Sequence, residues 1–306
     1  MSLKLIVGLI IKLGLTALLV WFLLGNKDLT FENMKNAVNS ADVRLLAAAS
    51  VVSIIVALLQ IIRWYEHLKT AGLNYRFRAA AGSWFAGNLL GFISPGRVAE
   101  LGRGFFLDRT KVKECAKATL AERAFFIEAV FVISIAAFVV ASSRLITAYG
   151  GANFFYLFLL MVVLAVVGWI IITNGHKIKA ISRFALFDAF PRNAENRFYL
   201  ANLSLILCAL MAVQIFLLFR SFYPVSLTSS FVTAELTMAA LIFFPVTIGN
   251  LGVREGAFVL LMSRLEGMPH QFAVSAGLLL FLQNIVIPSI IGAVVILKSR
   301  LPGKLA

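Results

Sequence analysis

Residues 94–100 read Ser94-Pro95-Gly96-Arg97-Val98-Ala99-Glu100, and residues 245–255 read Pro245-Val246-Thr247-Ile248-Gly249-Asn250-Leu251-Gly252-Val253-Arg254-Glu255. Each stretch ends an apolar segment with a helix-breaking turn and then presents an arginine and a glutamate. Backbone that leaves the helix at membrane depth is tolerated only where protein or a watery cavity surrounds it. Interrupted segments at matching places in two halves of a chain are a sequence pointer to a transporter's binding site. The two motifs therefore point to a carrier with its site between them.

The chain around them is apolar. Hydrophobic residues make up 61% of the 306 and charged residues 14%, against about a quarter charged in a soluble domain; the mean hydropathy is +0.93. An all-α polytopic membrane protein follows, a single integral membrane domain over 1–306 that leaves no room for a large soluble domain beside its spans. The 28 lysines and arginines against 14 acidic residues give a net charge of +14. In a membrane protein that excess fits basic loops against an anionic membrane surface rather than nucleic acid. Cys115 and Cys208, read as lying in a basic loop and an apolar span, form no disulfide framework and have no metal-type spacing. No metal and no cofactor is expected.

Spanning takes about 20 mostly apolar residues. Six full spans are expected, near 3–24, 44–62, 124–141, 153–173, 201–219 and 271–297. The first has no cleavage site at the right distance for a signal peptide. Two further apolar segments, 79–94 and 228–245, run into the motifs, and each is followed by a charged, half-apolar helix, near 98–120 and 250–266. Segments 63–78, 97–123, 174–199 and 298–306 carry 4, 7, 5 and 3 lysines and arginines, or 19 of the 28. Positive charge inside then places both termini in the cytoplasm, with the plasma (inner) membrane as the expected location. For this to hold, 79–120 must begin and end inside and 220–270 must begin and end outside. The two insertions are thus re-entrant or hairpin elements, and 1–148 and 149–306 form an inverted repeat. The alternative, two complete spans in each insertion, gives up to ten spans.

Arg97 and Glu100 share a helical face just after Pro95-Gly96. A helix starting there would offer free N–H groups to a phosphate, and Arg97 would add a bidentate hold; an interfacial ion pair is the plainer alternative. Arg254 and Glu255 follow Pro245, Gly249 and Gly252, the glycines permitting positive φ. Charge near the bilayer centre usually faces a cavity and pairs, so Arg254 is expected to meet Glu100, and Glu255 to meet Arg97, across the pseudo-twofold axis. Glu122-Arg123 opens the next span, where Glu122 suits a helix N-terminus. Glu128 and Glu235 lie deeper and are candidates for a proton relay or a coupling-cation site, unless a nearby Arg, Ser or Thr satisfies them. Asn88, Gln214, Gln283 and Asn284 are polar positions suited to interhelical hydrogen bonds, with Asn88 the best placed to line a cavity. Trp64 and Tyr65 beside Arg63 read as an interfacial anchor, and 174–199 as a basic amphipathic surface helix.

At Gly87-Asn88, Pro95-Gly96-Arg97 with Glu100, Glu122-Arg123, and Pro245 through Glu255, the chain resembles the transmembrane region of lysylphosphatidylglycerol synthases and the short stand-alone members of that family. The resemblance covers nearly the whole chain; Ala99 departs from it, where a glycine usually precedes the glutamate. It implies a lipid-handling membrane protein without the soluble aminoacyl-transferase domain. Combined with the motifs, the expectation is a flippase for a phosphate-bearing lipid headgroup. Arg97 and Arg254 would bind phosphate, and Glu100 and Glu255 would balance them in the empty state. No Gly-x-x-x-x-Gly-Lys-Ser/Thr occurs, so ATP is not expected to drive it. The alternatives are a membrane-embedded lipid-headgroup transferase, for which no nucleophile–base pair is visible, and a non-transporting partner of a glycosyltransferase or lipid-modifying enzyme.

Overall fold

In the computed structural model, residues 31–174, 190–243 and 250–299 are described. They are helical, with no strand among them. The expected first span 3–24, Pro245, Gly249 and most of the basic segment 174–199 lie outside the described residues. In chain order the helices are α1 (Phe31–Ser40), α2 (Val43–Thr70), α3 (Phe77–Ile93), a 3₁₀ segment (Pro95–Phe106), α4 (Val112–Val140), α5 (Ser142–Tyr149), α6 (Gly151–Asn174), α7 (Ala194–Phe222), α8 (Leu227–Phe243), α9 (Val253–Glu266), α10 (His270–Phe281) and α11 (Ile287–Ser299). Among the described residues five stretches are long and apolar enough to cross a membrane: Val43–Thr70, Arg109–Val140, Gly151–Asn174, Ala194–Phe222 and His270–Lys298. They match the five expected spans that fall on described residues.

Local signals set the helix ends. Asp42 caps α2 by accepting hydrogen bonds from the N–H groups of Arg44 (2.8 Å) and Leu45 (3.4 Å). Asn193 caps α7 through the N–H of Glu195 (2.9 Å), each acceptor satisfying a donor that the first turn leaves free. Gly267 closes α9 at φ 64°, a left-handed conformation that glycine adopts without steric cost. Between α10 and α11 a π-turn, Leu282–Val286, has the Ile287 N–H bonded to the Leu282 carbonyl. Pro288 lies just beyond; lacking an N–H, it cannot close the ordinary helical bond to Asn284, and the wider turn accommodates that loss.

α4 and α7 run through the middle of the bundle. Phe131 and Phe138 on α4, Phe219 and Phe222 on α7 and Phe258 on α9 belong to one continuous buried core. The outer helices turn apolar side chains outward, as Phe155, Leu159, Val163 and Val166 do on α6. A surface so apolar suits lipid as its solvent.

The two insertions are antiparallel hairpins. A Cβ on Gly87 would lie 2.9 Å from Arg103 Cβ, and one on Gly91 3.2 Å from Arg97 Nε, so the 3₁₀ segment doubles back along α3. It then turns again into α4, where a Cβ on Gly104 would fall 2.5 Å from Cys115 Cβ. α3 has 17 residues, about 25 Å at 1.5 Å per residue. The 3₁₀ segment has 12, about 24 Å at 2.0 Å per residue. The two arms therefore match in length, and α3 and α4 begin at one level. In the second hairpin Ser226 Oγ donates to Glu266 (2.5 Å) and Thr233 Oγ1 to Met262 Sδ (3.1 Å), so α9 returns along α8 and ends beside its start. At that end Arg144 Nη1 reaches Ser226 and Ser229 (2.8 Å each) and Glu266 (3.3 Å). Burial alone would raise the Glu266 carboxyl; the hydrogen bonds from Ser226 and Ser229, with Arg144, offset this and hold it below the usual carboxylate range.

Three local expectations are corrected. The helix expected near 98–120 is instead the 3₁₀ segment, a short 3₁₀ turn (Arg109–Lys111) and the start of α4, because Asp108 accepts from the Thr110 N–H (2.8 Å) and restarts the chain there. Cys115 is fully buried in α4 rather than in a loop. Trp64 is also fully buried and Arg63 only 6% exposed; they are not an interfacial anchor, since Trp64 Nε1 donates to Ser83 (2.9 Å) and Arg63 to Glu122 (3.1 Å).

The first hairpin is pinned to the last helix. A Cβ on Gly292 of α11 would collide with the Phe85 carbonyl of α3, and Ser289 Oγ donates to the Asn88 carbonyl (3.3 Å). Gly292→Ala is therefore expected to destabilise the protein by about 1–3 kcal/mol, as overpacking does. Thermal unfolding in detergent reads this, and an unchanged midpoint would contradict so close a crossing.

Candidate functional site

The row Arg97, Glu100, Arg103 repeats every three residues, and a 3₁₀ helix has three residues per turn. The three side chains therefore align on one face, between α3 and α4. Gly87 and Gly91 make room for them on the α3 side, where any Cβ would press on Arg97, Glu100 or Arg103. Arg97 Nε donates to Glu100 Oε2 (3.1 Å) and its Nη2 to Asn88 Oδ1 (2.8 Å). Arg123 Nη2 donates to the same Glu100 oxygen and to the Arg97 carbonyl, both at 2.8 Å. Arg103 Nη1 lies 3.7 Å from Glu100 Oε1. Its Nε donates to Thr119 (3.0 Å), its Nη2 pairs with Glu122, and its guanidinium stacks 3.4 Å from the Trp64 ring centroid. Arg63 holds the other Glu122 oxygen (3.1 Å) and reaches Ser204 on α7 (3.4 Å).

The result is one contiguous network of four guanidinium groups and two carboxylates, with an excess of two positive charges. Its depth is graded: the Arg63 and Arg103 side chains are 7% and 1% exposed, those of Arg97 and Arg123 25% and 32%. Arg63 and Arg103 fix Glu122, while Arg97 and Arg123 crowd Glu100 and keep an open side.

The second motif is built more tightly. Glu255 Oε2 accepts from the Gly252 N–H (2.7 Å) at the start of α9, and Gly252 stands at φ 89°. Arg254 donates to Glu255 Oε1 through Nη2 (2.6 Å) and Nε (3.1 Å). Arg254 and Glu255 are both buried. Gly277 on α10 leaves space for Glu255, whose Cγ would be 3.0 Å from a Cβ there. The Arg254 guanidinium lies 5.4 Å from the Phe281 ring, and Phe281 is 6.1 Å from Phe92 at the end of α3. The expected cross-pairing is thus replaced: each arginine binds the glutamate of its own motif, and aromatic rings stand between the two.

Among the described residues the two non-glycine positions at positive φ are Arg97 (56°) and Asn250 (61°), one in each motif. Such backbone costs about 1–3 kcal/mol and tends to collect at functional sites.

Other expected site residues fall as follows. Pro95 and Gly96 open the 3₁₀ segment, but the turn uses its own donors: Arg97 N–H bonds the Ser94 carbonyl (3.1 Å) and Ala99 N–H the Ser94 Oγ (3.0 Å). Two of the N–H groups expected to be free at a helix start are thus taken up within the turn. Glu122 is not at a helix N-terminus, because α4 already begins at Val112. Asn88 joins the first cluster, whereas Gln214, Gln283 and Asn284 form a separate amide network with Ser50 and Ser53, at 2.8–3.2 Å. Glu128 Oε2 and both Glu235 oxygens are buried without a hydrogen-bond partner. Arg63 and Arg103 were missed. The three-residue spacing to Glu100 was a usable signal for Arg103; Arg63 was masked by aromatic neighbours typical of a membrane interface.

This is a polytopic helical membrane protein with a hydrogen-bonded arginine cluster wrapped by a helical hairpin. The model of the family described as the lysylphosphatidylglycerol synthase TM region matches residues 9–292, nearly the whole chain, and the protein belongs to that family. No curated protein matches the chain. The family ties it to lipid metabolism at the membrane.

Proposed function

We propose that the protein is a lipid carrier that moves a phosphate-bearing headgroup between leaflets while the tail stays in the bilayer. The observation that carries this reading is the unmatched positive charge of the first cluster. Buried charges are normally paired, and here four guanidinium groups share two carboxylates, with Arg97 and Arg123 on the open side of Glu100. A lipid phosphate supplies the missing anion, and arginine is the side chain suited to hold it bidentately. Phosphate entering at Arg97 and Arg123 would displace Glu100 from part of its hydrogen bonding. Arg254 and Glu255 are the corresponding pair of the second hairpin in an inverted repeat of 1–148 and 149–306, with both termini cytoplasmic. Gly252, at φ 89°, opens the second arm of that hairpin. The substrate class is a phospholipid, aminoacyl-phospholipid or polyprenyl phosphate.

Leaflet exchange in proteoliposomes tests this. Wild-type protein is expected to accelerate exchange of fluorescent phosphatidylglycerol, lysyl-phosphatidylglycerol or a polyprenyl phosphate. Arg97→Gln and Arg254→Gln are each expected to lower the rate by at least about tenfold, as loss of a charge-assisted hydrogen bond does. Folded wild-type protein that moves none of these lipids, with or without an ion gradient, would overturn the reading.

A further inference from the structure

We propose that Glu235 is a proton-binding site through which lipid movement is coupled to a proton gradient; this deepens the carrier reading and rests on it. Glu235 is the ninth of the 17 residues of α8, halfway along an arm of the second hairpin. It is fully buried, and neither carboxyl oxygen has a hydrogen-bond partner. Ionising a carboxyl so shielded from solvent, with no cation bonded to it among the described residues, is costly, and the enclosed group is taken as the neutral acid.

Among the described residues, the helices packed around it bring no counter-charge to the carboxyl. From α4, Ser134 Oγ reaches the Glu235 backbone carbonyl at 3.5 Å. The titratable group on that helix is Glu128, six residues before Ser134, about 9 Å along the axis; it is another acid and its own Oε2 has no partner. From α7 the group facing Glu235 is the buried Cys208 thiol. From α9 the packing is apolar, with Met262 against Thr233 one half-turn away and Phe258 in the same core. The charged pair of α9, Arg254 and Glu255, is occupied with itself.

A metal cation is not the fit for this place. Hard cations take several oxygen ligands, and no group of three or more His, Cys, Asp or Glu gathers among the described residues. A single carboxyl in apolar surroundings holds one proton. The proton binds when Glu235 is enclosed, and it leaves when the second hairpin shifts and the carboxyl meets water. No bond other than O–H forms or breaks. Because α8 and α9 are two arms of one hairpin, the protonation state of Glu235 biases the same element that carries Arg254 and Glu255. A conformational equilibrium moves only with such a differential interaction.

The test uses full-length protein in liposomes and has two readouts. The first is the protonated-carboxyl band in infrared difference spectra across a pH titration, comparing wild type with Glu235→Gln. A band present in wild type and missing in the variant supports the site; identical spectra overturn it. The second is the steady-state distribution of fluorescent phosphatidylglycerol under a gradient of one pH unit. With one proton per lipid, wild type is expected to build an asymmetry of up to about tenfold, the ratio set by one unit. Glu235→Gln is expected to exchange lipid without asymmetry, and Glu235→Asp to restore part of it. Exchange by wild type that ignores the gradient overturns the coupling and leaves the carrier standing. If wild type moves no lipid, the carrier reading falls and the coupling with it.

Discussion

Glu122→Ala is expected to remove about 3–5 kcal/mol of folding stability, the usual consequence of breaking a buried charge pair. Glu122 is 4% exposed and is the shared partner of Arg63 and Arg103. Its removal leaves two buried guanidinium groups between α2, the first hairpin and α4 with Ser204, Thr119 and the longer Arg103–Glu100 contact (3.7 Å) to meet them. Glu122→Gln keeps the shape and an acceptor oxygen but loses the charge, so its cost is expected to be smaller. Thermal or denaturant unfolding of the purified protein measures both. An Ala variant as stable as wild type would show that Glu122 does not hold these helices together, and the division of the cluster into an anchoring and a binding part would fail.

Arg123→Gln is expected to do the opposite: leave stability nearly unchanged and weaken binding of the lipid phosphate. Its side chain is about a third exposed, and Glu100 keeps Arg97 and Arg103 when it is gone. A hydrogen bond to a charged group contributes about 1.5–3 kcal/mol, which corresponds to about 10- to 100-fold in affinity. Titration with short-chain phosphatidylglycerol measures the loss. Arg97→Gly is the informative companion, because glycine accepts the φ of 56° without strain while removing the guanidinium. That variant should bind lipid phosphate as poorly as Arg123→Gln and unfold no more readily than wild type. Unchanged binding in both variants would remove Arg97 and Arg123 from the site.

Much of this architecture was legible because membrane helices are written in long apolar runs and interrupted ones in Pro, Gly and charge. The spans from 44–62 to 271–297 were visible in that way, and so was the hairpin of 228–266. The first hairpin was legible only in outline. Gly102, Gly104 and the Asp108 cap break what reads as one charged helix near 98–120, and a 3₁₀ arm has no distinctive apolar period. Arg97, Glu100 and Asn88 were identified and do meet. Arg123 was named too, but only beside Glu122 at the opening of a span; Arg103 and Arg63 were missed, because the cluster is drawn from three elements and charges near a span end read as surface anchors until a fold buries them. The pairing of Arg254 with its own neighbour Glu255, rather than with Glu100, depends on how far apart the two hairpins sit, and composition does not encode that distance.

The central claim is that the arginine cluster recognises the phosphate of a lipid. Its most direct test compares leaflet exchange of two lipids with matched tails, phosphatidylglycerol and a phosphate-free glycolipid, in liposomes carrying wild-type protein or the Arg97→Gln/Arg123→Gln double variant. The account predicts acceleration of the phospholipid alone, and its loss in the double variant. Equal acceleration of both lipids, or phospholipid exchange that survives the double substitution, would contradict it.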